Sequence, residues 1–380
     1  MPTAQEALET SRLNPFSRWS AGDGSAAARM AGRIVIPQGW QTFTAQPDET
    51  FFAIGSCFAR NVEERLEQAG ATVTSCRIDI QNLGSGSARE GGIFNKYTPV
   101  SILQELRWAA GVEDYPEAAL LSVGADKYYD PYLSSKTAQG TRAELMARRT
   151  EIAAYFRQAF AADIVILTLG LIETWTDTET GLHLNETPLP KLLARNPERF
   201  SFDCLSLEQC EAALEETCAI LRQNGKVGQR IIVTVSPVPL GRTFTGDDII
   251  VANMNAKSTL RVAAERLVRR REGIDYYPSY EAAVSSDPNL SWQADRLHVS
   301  DFVVGHIIRT FLQRYGVTPE EAIDTGAEIA ELQKSPLFRN LPDGAADNDA
   351  LLARLNQELN KYKNMTIKLQ GELRKLVPQP

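Results

Sequence analysis

Phe51-Phe52-Ala53-Ile54-Gly55-Ser56-Cys57-Phe58-Ala59 is the stretch that decides the fold of this chain. A short apolar run breaks at Gly55, and beyond it Phe58, Val62, Leu66 and Ala69 recur at helical spacing. That pattern predicts a strand, a tight turn and a helix. After Gly70, residues 71–76 (ATVTSC) read as a second strand, and a connection of this length permits parallel pairing. Outward from this unit the alternation repeats. Residues 163–169 (DIVILTL) and 230–235 (RIIVTV) have the near-continuous apolar character of strands buried on both faces, and 274–277 form a last short strand. Helical spacing marks 99–110, 207–221, 253–271 and 302–315. The expectation is a three-layer α/β/α architecture with a parallel sheet and ligand chemistry at the carboxyl ends of its strands.

The organisation follows from composition and spacing. Residues 1–45 mix Ser, Ala, Gly and Pro and predict an irregular arm; 46–320 hold the α/β domain. Its connections at 77–97, 122–150 and 176–205 are longer than usual, as functional or covering segments are. Residues 321–350 read as a linker. In 351–377, Leu352, Leu355, Leu359, Tyr362, Thr366, Leu369, Leu373 and Leu376 alternate spacings of three and four. That heptad seam predicts a coiled coil and self-association, with a single helix packed on the domain as the alternative.

The 380 residues are 43% hydrophobic and 23% charged, which excludes general disorder. Acidic residues outnumber basic ones 48 to 40 with no dense basic run, so nucleic acid is not an expected partner. No leader pattern or membrane-length apolar run stands out, and the expectation is a soluble, cytoplasmic chain without a membrane span. Cys57, Cys76, Cys204, Cys210 and Cys218 form no CxxC pair, and the histidines are only His183, His298 and His306. Neither a disulfide framework nor a metal site is predicted, no phosphate-loop motif is present, and no cofactor is expected.

Ser56 falls after a buried strand at the mouth of a helix, where unpaired amides can stabilise an oxyanion; it reads either as a nucleophile or as the helix N-cap. Asp295-Arg296-Leu297-His298 places a carboxylate and an imidazole on one turn before the last helix, the arrangement that fixes a catalytic tautomer. Serine after the first strand and Asp/His before the last helix fall at the same edge of the predicted sheet. Cys57 reads mainly as packed core and less as a thiol nucleophile. His306 shares a helix pattern with Val303, Ile307 and Phe311, and His183 reads as a surface or substrate-rim residue.

With Gly55 to Ala59 (GSCFA), 168–175 (TLGLIETW), 234–240 (TVSPVPL) and 276–281 (YYPSYE), the chain resembles the GSCFA-domain family, which is related to the SGNH (GDSL-like) hydrolases. The resemblance spans roughly residues 45–320 and omits the heptads. It implies a flavodoxin-like fold in which Ser56, His298 and Asp295 cleave or transfer ester-linked acyl groups, often acetyl groups on carbohydrates. It also implies oxyanion donors at the Ser56 amide, a glycine after the second strand (Gly84) and an asparagine after the third. There Gly170 is kept, but Ile172 stands where an Asn belongs and Glu173 where an Asp belongs. Asn82 or, preferably, Asn95 is the candidate replacement, with a turn or helix-cap role for Asn95 as the alternative.

Glu173 either binds a substrate hydroxyl or holds the adjacent loop. Trp175, Tyr276, Tyr277, Tyr280 and Trp292 stand near strand ends, where sugar rings stack or core packing suffices, and Trp175 and Trp292 are the substrate-binding candidates. The expected function is a serine esterase or O-acyltransferase acting on an acylated carbohydrate or glycan precursor, with a glycosyltransferase as a further expected partner. The competing reading is a catalytically weak or inactive SGNH-like domain that binds glycan or serves as an oligomeric scaffold.

Overall fold

The computed structural model describes residues 2–78, 80, 83, 92–293, 295–319 and 324–334. The heptad segment 351–377, Asn82 and Gly84 lie outside the described residues, as does most of the expected linker. Within that linker, Thr325–Lys334 is a helix. Contacts divide the described residues into two compact units, one within 37–280 and 308–319, the other within 2–36, 281–307 and 324–334. This partition differs from the expected 1–45 and 46–320 boundaries, because residues 281–307 group with the N-terminal segment.

The larger unit carries five parallel strands, β1 (Thr50–Gly55), β2 (Thr72–Val73), β3 (Ile164–Leu169), β4 (Arg230–Val235) and β5 (Ile274–Tyr276), in spatial order β5-β4-β3-β1-β2. This 2-1-3-4-5 order is flavodoxin-like and puts the topological switch point between β1 and β3. Every residue of β3 is buried, as its unbroken apolar run requires of a central strand. β2 is shorter than expected, since Thr74–Cys76 turn into a 3-10 helix. Helices flank the sheet: α1 (Phe58–Gln68), α2 (Pro99–Ala110), α3 (Arg142–Ala161), α4 (Leu207–Asn224) and α5 (Ile249–Arg270). Phe52, Ile54, Val165, Leu167 and Val233 share one core with Leu103 of α2, Phe156 of α3, Leu214 of α4 and Leu260 of α5. α1 buries Phe58, Val62 and Leu66 and lies against β1, β2 and β3.

The long connections are structured. Residues 122–150, expected as a loop, contain most of the hairpin Leu121–Gly124/Lys127–Tyr129 and the first half of α3. α3 escapes the apolar-period test because Arg149 sits 4% exposed in the middle of its buried face. Its guanidinium is 2.5 Å from Asp130 Oδ2 and 2.9 Å from Glu105 Oε1, and Lys96 Nζ is 2.5 Å from Glu105 Oε2. Lys96 also donates to the Tyr132 carbonyl. Two buried cations thus face two buried carboxylates, the pairing without which their desolvation would be prohibitive. The 176–205 connection carries an antiparallel sheet of Glu173–Asp177, Leu182–Leu184 and Phe200–Cys204.

In the smaller unit the arm expected to be irregular forms two short helices, Ala4–Leu13 and Ala26–Ala31. Thr3 and Glu6 make a capping box on the first, a signal that the Ser/Ala-rich composition obscured. Arg33 Nε donates to Asp287 Oδ2 at 2.8 Å and the Val35 amide donates to Ser286 Oγ at 2.8 Å, so this unit joins chain ends some 250 residues apart. Among the described residues no helix is long and apolar enough to cross a membrane.

Candidate active site

Gly55 ends β1 with φ +140°, and a Cβ there would lie 2.1 Å from the Thr168 carbonyl oxygen, so only glycine lets β1 run this close to β3. Ser56 follows, 3% exposed, with its Oγ 3.4 Å from Thr168 Oγ1. The N-cap position of α1 falls on Cys57, so the hydroxyl of Ser56 is not occupied in capping. Across the switch point lies Gly170, where an added Cβ would meet Ser56 Cβ at 3.2 Å and the Tyr97 carbonyl oxygen at 2.9 Å. The structure therefore brings Ser56 and Gly170 side by side.

The amides expected to form an oxyanion hole are engaged within the fold. Ser56 N donates to Thr168 O at 3.1 Å, and Gly170 N and Leu171 N both donate to Tyr97 O, at 3.1 and 2.8 Å. Asn95 is buried beside this segment, but its Nδ2 donates to Tyr97 Oη at 3.2 Å and its Oδ1 accepts from Arg60 at 2.7 Å. It does not cap the following helix; Thr98 does, in a capping box with Ser101. Ile172 is buried and apolar, as its identity predicts. Cys57 is half-buried, and burial pushes its thiol above the usual cysteine range, which disfavours the thiolate a sulfur nucleophile needs.

Lys257 of α5 was not singled out from the sequence, although it falls on the apolar stripe with Leu260 and Ala264. It is fully buried and donates to Gly170 O at 2.8 Å and Val238 O at 2.7 Å, so it ties the chain after β3 to the chain after β4. Burial pushes its pKa down to about 7, against a smaller upward pull from Cys57.

At the carboxyl ends of the strands, Tyr97, Leu171, Trp175, Leu189, Leu240 and Phe244 line a pocket of about 570 Å³. Trp175 packs against Phe202 and Phe244, with ring centroids 5.3 and 5.2 Å away. Glu173 accepts from Thr243 Oγ1 at 2.6 Å and from Phe244 N at 3.0 Å, so here it holds the loop after β4. That loop and the 184–190 wall are far apart in sequence, and no local pattern joins them. His183 is not at the rim of this pocket: its backbone exchanges two 2.8 Å hydrogen bonds with the Gln104 side chain, and its Nδ1 is 3.1 Å from Thr176 Oγ1.

In the smaller unit, Asp295 organises a tight turn. One carboxylate oxygen accepts from the amides of Leu297 and His298, each at 3.0 Å, and the other lies 2.6 Å from His298 Nδ1. Arg296 between them is left-handed, φ +54°, a conformation that costs a non-glycine residue about 1 kcal/mol. Its guanidinium is tethered to the Pro288 carbonyl and the Asn289 side chain. Partial burial works against ionisation of Asp295, yet the bonds from His298 and Leu297 hold its carboxyl below the usual carboxylate range. The His298 ring is half exposed. The half-buried Trp292 belongs to this unit, bridged to Val299, and not to the pocket that Trp175 lines. His306 is buried, its Nδ1 2.9 Å from Phe302 O and its Nε2 3.0 Å from Glu328. Among the described residues no three metal-ligating side chains cluster.

A family model described as the GSCFA family matches residues 50–311. No curated protein and no solved structure matches the chain.

Proposed function

The chain belongs to the GSCFA family, and from that premise we propose that it is an SGNH-type serine esterase or O-acyltransferase. Ser56 Oγ attacks the carbonyl carbon of an ester, and His298 Nε2 takes the hydroxyl proton. The tetrahedral intermediate collapses, His298 returns that proton to the departing alkoxide, and an acyl-Ser56 ester remains. Water or an acceptor hydroxyl then attacks the acyl carbon as His298 takes its proton; the second tetrahedral intermediate expels Ser56 Oγ, His298 returns the proton to it, and the free acid or the new ester departs. Asp295 keeps the His298 proton on Nδ1 and leaves Nε2 as the base. The alcohol side of the substrate is read as a carbohydrate or glycan precursor met in the cytoplasm, with self-association through 351–377 and a glycosyltransferase as a partner.

The observation that carries the reading is the Asp295–His298 pair, 2.6 Å apart on a turn held by two amides. A solvent-facing imidazole fixed by a carboxylate supports a base poised for proton transfer. It is joined by a nearly buried serine at the switch point of a doubly wound sheet, where such folds bind ligands. The test is hydrolysis of p-nitrophenyl esters, with labelling by a fluorophosphonate probe, in the wild type and in Ser56→Ala, Cys57→Ala and His298→Ala. The expected result is turnover and labelling lost with Ser56, turnover lost with His298, and both kept in Cys57→Ala.

A second reading is a non-catalytic glycan-binding or scaffold domain. It is favoured by the engaged amides of Ser56 and Gly170 and by Ile172 in place of a side-chain donor. Absence of both turnover and fluorophosphonate labelling would establish it over the enzyme.

A further inference from the structure

We infer that the pocket walled by the 184–190 segment and the 240–244 loop is a subsite for an extended apolar acyl chain, longer than acetyl. This rests on the serine-acyl reading above. Three observations, all within the larger unit, carry it.

The first is size. A dry cavity of about 150 Å³ accommodates a benzene molecule, and this pocket of about 570 Å³ is nearly four times larger. An acetyl group would leave most of it empty.

The second is the chemistry of the wall. Leu171, Leu184, Leu189, Leu240, Trp175 and Phe244 present aliphatic and aromatic surface. Several of the polar groups in the wall are already engaged within the fold. Glu173 accepts from Thr243 and Phe244, and Glu186 accepts from the Ser135 amide at 3.0 Å. Asn185 donates to Asn95 O at 2.8 Å and accepts from Tyr97 N at 3.3 Å. A sugar would compete with these bonds, whereas a hydrocarbon chain asks for no polar partner.

The third is position. Leu171 and Tyr97 line the pocket and also flank Gly170, whose Cα faces Ser56. The wall of the pocket therefore begins one residue from the glycine that abuts Ser56.

The experiment separates the subsite from the catalysis. Calorimetric titration of the full-length Ser56→Ala protein with sodium butanoate, octanoate and dodecanoate measures binding without turnover, and maltose serves as the sugar comparison. Each methylene buried multiplies affinity by roughly fourfold at most. The expected result is dodecanoate bound at least tenfold more tightly than butanoate, and maltose bound more weakly than dodecanoate.

Gly241 lines the pocket, its φ is not positive, and a Cβ there would meet nothing within 4 Å, so a Gly241→Trp plug is compatible with the backbone. Added to Ser56→Ala, it should weaken dodecanoate at least tenfold at an unchanged melting temperature. No chain-length dependence, dodecanoate affinity unmoved by the plug, or maltose bound more tightly than dodecanoate each overturns the subsite. Plug-sensitive dodecanoate binding to a protein that hydrolyses no ester supports the subsite and overturns the hydrolytic reading instead.

Discussion

Lys257 offers the sharpest quantitative test, because a fully buried lysine whose pKa is pushed down to about 7 couples stability to pH in one direction. In the unfolded chain a lysine holds its proton up to about 10.4. Between these values the unfolded state binds one proton more than the native state, so the lysine's contribution to stability rises with pH. It is fully present above the unfolded value and is lost as pH falls toward 7. The slope approaches 1.36 kcal/mol per pH unit, and since the group is half titrated at pH 7, the change from pH 7 to 9 amounts to about 2 kcal/mol.

Lys257→Met keeps the length and apolar stem and removes the titration. It also strips the donors from the Gly170 and Val238 carbonyls, a loss that does not vary with pH. The assay is urea unfolding of wild type and variant at pH 6, 7, 8 and 9, followed by tryptophan fluorescence. The stability difference, wild type minus variant, is expected to shift by about 2 kcal/mol toward the wild type between pH 7 and 9 and little between 6 and 7. Parallel pH curves for the two proteins would refute the depressed pKa and the argument built on it.

Other perturbations follow from the same geometry. Gly170→Ala, whose Cβ would press on Ser56 Cβ and the Tyr97 carbonyl, should lower ester kcat/KM by about a hundredfold, as small displacements of reacting groups do; an unchanged value would mean the crevice has room to spare. Glu105→Gln removes the carboxylate shared by the buried Lys96 and Arg149 and should destabilise the fold by about 3–5 kcal/mol in urea unfolding. A loss under about 1 kcal/mol would contradict the buried pairing. Asp295→Asn, which removes the carboxylate 2.6 Å from His298 Nδ1, is expected to cut kcat by about ten-thousandfold with KM nearly constant. Equal kcat in the two proteins would remove Asp295 from the mechanism.

What the sequence made legible is what depends on near neighbours. The strands at 164–169 and 230–235 announce themselves because each is apolar through its whole length, and the structure buries them. Asp295 and His298 are three residues apart, so one Asx turn brings them together and no long-range geometry is needed. α3 was missed for the opposite reason: Arg149 on its buried face is tolerable only because Glu105 and Asp130 arrive from elsewhere in the chain. The engagement of the Gly170 amide could not be read either, since its acceptor is the Tyr97 carbonyl 73 residues away. Lys257 was half legible, a charged residue on an apolar stripe, but its acceptors again come from distant segments.

The pairing of Arg33 and Val35 with Asp287 and Ser286 also sets a schedule for biosynthesis. At 5–20 residues per second, a ribosome that has made residue 35 needs roughly 12 to 50 s to supply residue 287. Through that interval the N-terminal segment has no partner, while β1 to β4 emerge and can pair. The turn that carries His298 is synthesised after all of them. A nascent chain therefore holds four strands of its serine-bearing sheet before its imidazole is made, and a fusion or truncation at the N-terminus acts on the histidine's unit rather than the serine's.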